Sequence, residues 1–426
     1  MAIAATFLGG AKSRLLPAAI PFRFFGAAVV FHLLAWLALL VGASATPAFA
    51  GGLGLPLAAL HLVTLGVLAM TAIGASLQLL PVATRQAVGP LLWPRLIWWL
   101  YTPGVAAIAT AMAWGQTWLL ASGALVVTLA LAGAGLLLAR NLLGAKGMPV
   151  VVLHGWAALL SLLVMLASAL ALACNYLGHP LMERPTAIAL HLAFTGYGFM
   201  GMLVLGFSYI LVPMFALADT PAQPPAFASA ALAIAALLLA GAAAAGLAEQ
   251  AFRILAIVSG ALALTIHIVL MHIAMRSGMR RQLGQPFVLV RVGWGCLAAS
   301  LLAALGLVLD LPLPRLPALF GVLLIGGLLS FLLGMLSRIV PFLAAMHAGM
   351  GRRPPLPSNL TAQRPLAIHF ACHLAALALL LGAVLVDSVW LVRVAALVGA
   401  CGALAFALFF GLAWRRMKAP AAPVNA

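Results

Sequence analysis

Twelve long apolar segments, almost free of charged residues, constrain this chain more than any other feature. Each is about 20 or more residues long, which is the length an α-helix needs to cross the hydrocarbon core of a bilayer. In lipid, an open chain satisfies its backbone polar groups only by forming helices. The sequence therefore predicts an all-α polytopic membrane protein with twelve transmembrane helices. The segments cover about residues 23–44, 57–83, 95–114, 118–140, 148–176, 186–215, 227–249, 252–278, 287–309, 316–347, 366–387 and 389–415.

The composition excludes several other classes of protein. Only 6% of the residues are charged and 66% are hydrophobic, whereas about 25% are charged in a soluble domain. A soluble enzyme and a disordered chain are therefore excluded. The net charge of +17 comes from scattered basic residues without the stripe that phosphate backbones require. We expect the lipid bilayer as the partner, and no nucleic acid.

Glycine and proline recur at the same spacing in the second, sixth and tenth segments. In each, one glycine precedes a proline by fifteen residues and another precedes it by seven. The three sets are Gly66, Gly74 and Pro81; Gly198, Gly206 and Pro213; and Gly326, Gly334 and Pro341. This periodicity predicts three pseudo-symmetric four-helix repeats, with the three segments forming an inner ring. Because proline breaks the hydrogen-bond ladder of a helix, we expect each proline to end its helix.

The repeats divide one transmembrane domain of residues 23–415 into about 23–145, 148–284 and 286–415. We predict a cytoplasmic segment of residues 1–22 and a cytoplasmic tail of residues 416–426. The first apolar segment is too long for the apolar region of a signal peptide. We therefore treat it as the first span.

The basic residues orient the chain in the membrane. If both termini are cytoplasmic, only Arg184, Arg253, Arg315 and Arg393 lie on the outer side. The other 18 of the 22 basic residues then lie at the inner side, as the positive-inside rule demands. We predict a multi-pass protein of the cell inner (cytoplasmic) membrane, with its N and C termini inside.

Histidines are the best candidates for intramembrane chemistry, because the chain has ten of them and only five acidic residues. His61 and His191 fall at similar depths, near the outer third of inner-ring helices. They differ by two residues in their spacing to the following glycine, which is about 200° around an α-helix. Two separate sites and one shared site therefore both remain open.

The other histidines are weaker candidates for ligands. Counted from the helix ends, His32 falls near mid-membrane, whereas His369 and His373 fall near the inner face with no third ligand evident beside them. His267 and His272 are five residues apart and diverge around their helix. We expect His179 and His347, near the membrane surfaces, to be solvated.

Two runs of sequence resemble helices of a known superfamily. The run from Leu60 to Gly66, continuing to Pro81, resembles the second helix of haem–copper oxidase catalytic subunits, and the run from His191 to Pro213 resembles the sixth. Twelve helices in three arcs is also that superfamily's plan. Within it, the chain is similar to NnrS-type membrane proteins, which are associated with haem, copper and nitric oxide stress.

The resemblance implies roles for both histidines. His61 matches an axial haem ligand, and His191 approximately matches a copper ligand. The resemblance also implies that a complete binuclear centre is missing. Residues 227–249 carry no histidine, and Phe320 and Gly321 occupy the region of the tenth helix where haem ligands are expected. We therefore expect a haem-binding protein with a redox or nitric-oxide-related role, in which copper is a further cofactor, and no oxygen reduction.

Two functions of other classes remain open. The first is a transporter or permease for a small solute, against which the lack of mid-membrane carboxylates argues. The second is a structural or assembly protein that keeps the fold without a cofactor. The sequence names no electron donor and no partner subunit, and it leaves open whether the protein is an enzyme.

The predicted orientation can be tested with reporter fusions. Reporters placed after residues 50 and 182 should score as external, and a reporter after residue 283 as internal, because of the distribution of basic residues. The reverse pattern would contradict the orientation.

Overall fold

The computed structural model describes residues 15–86, 89–280, 282–348 and 355–419. In this part of the chain, 84% of the residues are helical and none lies in a strand, which confirms the all-α class. Twelve of the helices are long and apolar enough to cross a membrane. They are α1 (Ala19–Val41), α2 (Leu55–Thr84), α3 (Leu92–Trp114), α4 (Thr117–Leu143), α5 (Pro149–Tyr176), α6 (Arg184–Ala216), α7 (Gln223–Ala244), α8 (Glu249–Ser277), α9 (Gln285–Val308), α10 (Leu316–Ala348), α11 (Gln363–Leu385) and α12 (Val389–Lys418).

The helices begin and end within five residues of the predicted segments. The largest difference is at the end of α7, which was predicted to reach residue 249 and ends at Ala244. A turn follows, in which Gly246 and Ala248 have φ angles of 84° and 38°. Hydropathy misses this turn because it is built from the same small apolar residues as the helix before it.

The chain ends lie partly outside the described residues. α1 begins at Ala19, so the last residues of the predicted segment 1–22 are helical, while residues 1–14 are outside the description. α12 continues to Lys418, into the predicted tail 416–426, of which residues 420–426 are outside the description.

The three repeated prolines do not end their helices, and this prediction was wrong. Pro81 and Pro213 are each followed by three more helical residues, and Pro341 by seven. A proline lacks its N–H and crowds the carbonyl four residues before it, but its own carbonyl still accepts a hydrogen bond. The carbonyls of Pro81 and Pro213 accept from the N–H groups of Gln86 and Ala218. The helices α2 and α6 end instead where Arg85 and Leu217 adopt left-handed φ angles of 58° and 55°, which is a common way to end a helix.

The helices α2, α6 and α10 are the most buried of the twelve. In the most apolar stretch of each, 72%, 94% and 61% of the residues are buried, and no other spanning helix exceeds 56%. These three helices therefore form the centre, and the others surround them. Large apolar side chains such as Leu136 and Leu302 are more than 70% exposed on the surrounding helices, as expected for surfaces that face lipid.

Glycines let the inner helices approach their neighbours closely. A Cβ on Gly74 would lie 2.9 Å from Phe24 of α1, and a Cβ on Gly206 would lie 2.8 Å from His154 of α5. A Cβ on Gly334 would lie 2.5 Å from the backbone carbonyl of Pro286 in α9. Close packing of this kind holds helices together in lipid, where apolar side chains gain little by leaving the solvent.

We predict that Gly334→Ala destabilises the fold, because its methyl group would collide with a backbone oxygen that no side-chain rotation can move. The expected loss is about 1–3 kcal/mol, measured as a lower thermal midpoint of the purified protein in detergent. Gly411→Ala is the matched control, since no heavy atom lies within 4 Å of its added Cβ. Equal midpoints for the two variants would contradict the close approach of α9 and α10.

Candidate functional site

Two of the inner helices contain a π-helical segment. In α2 the segment covers Leu62–Ala69, and in α6 it covers Ala193–Gly201. π-Helix accounts for well under 1% of residues in proteins, and its single turns occur often at functional sites. No other spanning helix has such a segment among the described residues.

Each π segment begins within two residues after a candidate histidine. The segment of α2 follows His61 directly, and the segment of α6 begins two residues after His191. The third inner helix, α10, has no histidine near its N-terminal end and is α-helical throughout Leu316–Ala348. The π geometry therefore accompanies the histidines rather than the glycine and proline pattern that all three helices share.

Residues of both π segments are in close contact with neighbouring helices. The hydroxyl of Tyr101 in α3 donates to the carbonyl of Leu65, inside the first π segment, at 3.1 Å. In the second segment, a Cβ on Gly198 would lie 2.7 Å from Ser161 of α5, and a Cβ on Gly196 would lie 2.7 Å from Leu324 of α10. The π segments are therefore points of tight packing.

The two π-associated histidines lie side by side. The ring centres of His61 and His191 are 6.4 Å apart, and the ring planes are inclined by 14°. The spacing from histidine to the following glycine is two residues longer in α6 than in α2, and this difference does not separate the rings. The angle of about 200° was counted for an α-helix, and it does not hold through a π segment. Of the two arrangements left open by the sequence, the structure shows the one in which both histidines reach a single place.

Hydrogen bonds to Nδ1 orient both rings. His61 Nδ1 lies 3.0 Å from the carbonyl oxygen of Leu57, which only accepts, so Nδ1 carries the proton and Nε2 keeps its lone pair. His191 Nδ1 lies 3.5 Å from Ser168 Oγ, whose own proton is directed to the carbonyls of Val164 and Met165. This is the arrangement usual for histidine ligands, in which a second partner fixes the tautomer and leaves one nitrogen for a metal.

The separation of the rings would suit one shared metal ion if both Nε2 atoms faced the space between the rings. With metal–nitrogen bonds of about 2.0 Å, and a ring centre about 1.1 Å behind each nitrogen, two imidazoles that face one ion from opposite directions would have centres about 6.2 Å apart. The observed distance between the ring centres is 6.4 Å. Among the described residues there is no group of three or more His, Cys, Asp or Glu that could hold a metal.

The histidine pair lies in the open half of the bundle. Only Ala187 is buried in Arg184–Leu192 at the N-terminal end of α6, whereas every residue of Met202–Ala216 is buried. His61 and His191 are themselves half-buried. The inner helices are thus tightly packed around their prolines and leave accessible, mainly apolar surface beside the histidines.

Three other histidines meet in a place that the depth estimates did not predict. The ring of His32 in α1 lies 6.2 Å from that of His369 in α11, which lies 5.9 Å from that of His373. All three are buried. The separate depths predicted for His32 and His369, and the lack of a third histidine beside the pair, were therefore wrong. The predicted depths were counted in residues from the end of each helix. Such a count ignores the tilt of the helix and the different depths at which neighbouring helices end.

Each histidine of the triplet has one ring nitrogen in a hydrogen bond. Trp36 Nε1 donates to His32 Nε2 at 3.1 Å, which requires the proton of neutral His32 to be on Nδ1. His373 Nε2 is 2.8 Å from the Ser330 hydroxyl, and His369 Nδ1 is 3.0 Å from the Gly402 carbonyl. These hydrogen bonds connect the triplet to α1, α10 and α12, whereas the second ring nitrogen of each histidine is buried without a hydrogen-bond partner.

A second buried cluster escaped the sequence analysis. The ring of Tyr209 in α6 lies 5.6 Å from that of His154 in α5 and 5.2 Å from that of His267 in α8. Trp294 of α9 follows, 6.0 Å from His267. These residues come from four helices and share no spacing, so no sequence signal joins them. On α6, Tyr209 is 18 residues from His191, about 27 Å along the helix, so this cluster is separate from the histidine pair.

The predictions for the remaining histidines are confirmed in part. His179 and His272 are exposed, as predicted for a surface residue and for one that diverges from the buried His267. His347 was predicted to be solvated, and this was wrong. Its ring nitrogens contact the carbonyl oxygens of Leu343 and Leu16, both at 2.9 Å, and so join the end of α10 to the chain before α1.

Comparison of the chain with protein-family models gives no match, and neither does comparison with the sequences of curated proteins. The resemblance to haem–copper oxidases and NnrS-type proteins therefore remains a prediction from the residues.

Proposed function

We propose that this protein is an integral membrane haem-binding protein in which His61 and His191 hold one haem. The single observation that carries the proposal is the pair of near-parallel imidazoles with centres 6.4 Å apart, each next to a π-helical segment. Two imidazoles without a third protein ligand suit a haem, because the porphyrin nitrogens supply the remaining positions around the iron. A zinc site would need three or four protein ligands.

The surroundings of the pair suit an apolar cofactor. Both imidazoles are neutral when each keeps one proton on Nδ1, so binding requires no charged ligand in the membrane. The ring of Tyr197 in α6 lies 6.5 Å from that of Phe320 in α10, and the Tyr197 hydroxyl is 2.8 Å from Ser300 Oγ. These contacts join α6 to α9 and α10. When bound, the haem would supply one-electron transfer, and binding of nitric oxide would require one of the two imidazoles to leave the iron.

The wider architecture is part of the proposal. We infer three four-helix repeats, because the corresponding glycines Gly74, Gly206 and Gly334 each pack against the first helix of the same predicted repeat. We place the protein in the cell inner membrane with both termini inside. A haem–copper oxidase-like plan without histidine in α7 supports a redox or nitric-oxide-stress role and does not support a complete binuclear centre.

Copper is the second candidate for the same pair. Imidazole is a good ligand for copper, and the observed spacing fits a copper ion as well as an iron. With either metal, repeated redox cycles would need a partner that donates electrons. Metal analysis of the purified protein separates the two cofactors.

We expect His61→Ala and His191→Ala each to abolish or markedly alter the haem spectrum, because each removes one of the two nitrogens available to the iron. The protein should be expressed with ample haem, purified in detergent, and examined by optical spectroscopy and a pyridine haemochrome assay. His272→Ala and His369→Ala are the controls, since the first is exposed and the second belongs to the buried triplet. Both should leave the spectrum unchanged.

Two outcomes would contradict the proposal. A colourless wild-type protein that contains no copper would favour a cofactor-free structural protein or a transporter. A haem spectrum lost in His369→Ala but kept in His61→Ala would move the site to the buried triplet.

A further inference from the structure

A groove lies between the end of α8 and the start of α9, at the end of the bundle where the positive-inside rule predicts the cytoplasm. Its volume is about 460 Å³, which is within the range of sites for small molecules. The described lining residues include three basic residues, His272, Arg276 and Arg291, and no aspartate or glutamate. Neither His61 nor His191 lines the groove, so it is separate from the proposed haem site.

Arg291 lies inside a span rather than at its end. It is the seventh residue of α9, which begins at Gln285, so it is about 9 Å along the helix from there. A charged side chain within a transmembrane helix is costly unless it reaches the headgroup layer or a partner. Arg291 Nη2 lies 3.9 Å from Met275 Sδ, and a thioether is only a weak acceptor. The guanidinium of Arg291 therefore suits an anionic partner in the groove.

The protein supplies little negative charge at this end of the bundle. Four of its five acidic residues lie at the opposite ends of the spans: Glu183, Glu249, Asp310 and Asp387. The fifth, Asp219, is in the connection between α6 and α7 and is not among the lining residues. A further cation stands behind the wall of the groove, where Arg338 of α10 donates to the carbonyl of Leu283. The negative charge that complements the groove therefore has to come from a ligand.

Apolar surface continues from the basic residues towards mid-membrane. One face of α8 carries residues at the i, i+3, i+4 and i+7 spacing, namely Val269, His272, Ile273 and Arg276. Val269 and Ile273 are 52% and 57% exposed, and Val288 in the wall on α9 is 37% exposed. The surface is thus basic near the helix ends and apolar farther inside. An anionic phospholipid has the same order of charge and apolar surface along its length.

We propose that this groove binds one anionic phospholipid, with its phosphate at Arg291 and the basic residues of α8, and an acyl chain along the exposed apolar face of α8. Guanidinium groups donate paired hydrogen bonds to phosphate oxygens. Basic pockets between transmembrane helices at the cytoplasmic side are typical sites for anionic headgroups. The apolar face beside the basic residues assigns the phosphate to a lipid rather than to a free anion. The bound lipid would link the second and third predicted repeats, because α8 ends one and α9 begins the other.

Native mass spectrometry of the purified full chain with added phosphatidylglycerol or phosphatidylcholine tests the proposal. The wild type should bind phosphatidylglycerol at least tenfold more tightly than phosphatidylcholine, and Arg291→Gln should remove most of this preference. Its matched control is Arg95→Gln, because Arg95 is an exposed arginine near the start of α3, at the same end of the bundle and outside the groove. This control should keep the preference.

A bulky side chain tests the groove itself. Val288→Trp places an indole in the groove and should weaken phosphatidylglycerol binding at least tenfold. Val258→Trp is the control, since Val258 is 46% exposed on α8 and 18 residues before Arg276, about 27 Å along the helix. It should leave binding unchanged.

Each result decides for or against the lipid. Unchanged binding in both Arg291→Gln and Val288→Trp would overturn the proposal, as would an equal loss of preference in Arg95→Gln. Displacement of phosphatidylglycerol by millimolar inorganic phosphate, but not by chloride at the same ionic strength, would also overturn it, because the site would then take a free anion. If Arg291→Gln does not fold, Val288→Trp and its control carry the test.

Discussion

The need to satisfy every backbone hydrogen bond within the lipid governs this structure. It forces the chain into helices, and the scarcity of charged residues leaves few polar groups inside the membrane. A departure from regular α-helix is costly under that constraint, because it displaces backbone bonds where no water replaces them. The two π segments are such departures, and both occur beside a histidine in the most buried helices. Tyr101 compensates one of them by donating to a carbonyl within the segment.

The helices and the central position of three of them could be predicted from the sequence, because both depend on local composition. A run of apolar residues fixes a span whatever its neighbours are. The shared glycine and proline spacing marks the inner helices because a Cβ at Gly74, Gly206 or Gly334 would collide with a neighbour. The role of the prolines was misjudged, since a proline near a helix end removes one donor and still leaves its carbonyl to accept.

The site was only half predictable, because its geometry depends on helix winding and tilt. His61 and His191 were identified by their depth, but the sequence carries no signal for the π segments that accompany their meeting. The same limitation hid the contact between His32 and His369, whose helices come together at heights that residue counting does not give. The cluster around Tyr209 was missed because it joins four helices whose polar residues share no spacing.

The central claim is that one metal is held by both His61 and His191. Pulsed electron paramagnetic resonance on the haem-loaded protein measures it directly, by counting the imidazole nitrogens coupled to the iron. The account predicts two such nitrogens in the wild type and no more than one in each of His61→Ala and His191→Ala. A wild-type signal from a single imidazole, or two imidazoles that persist in either variant, would contradict it.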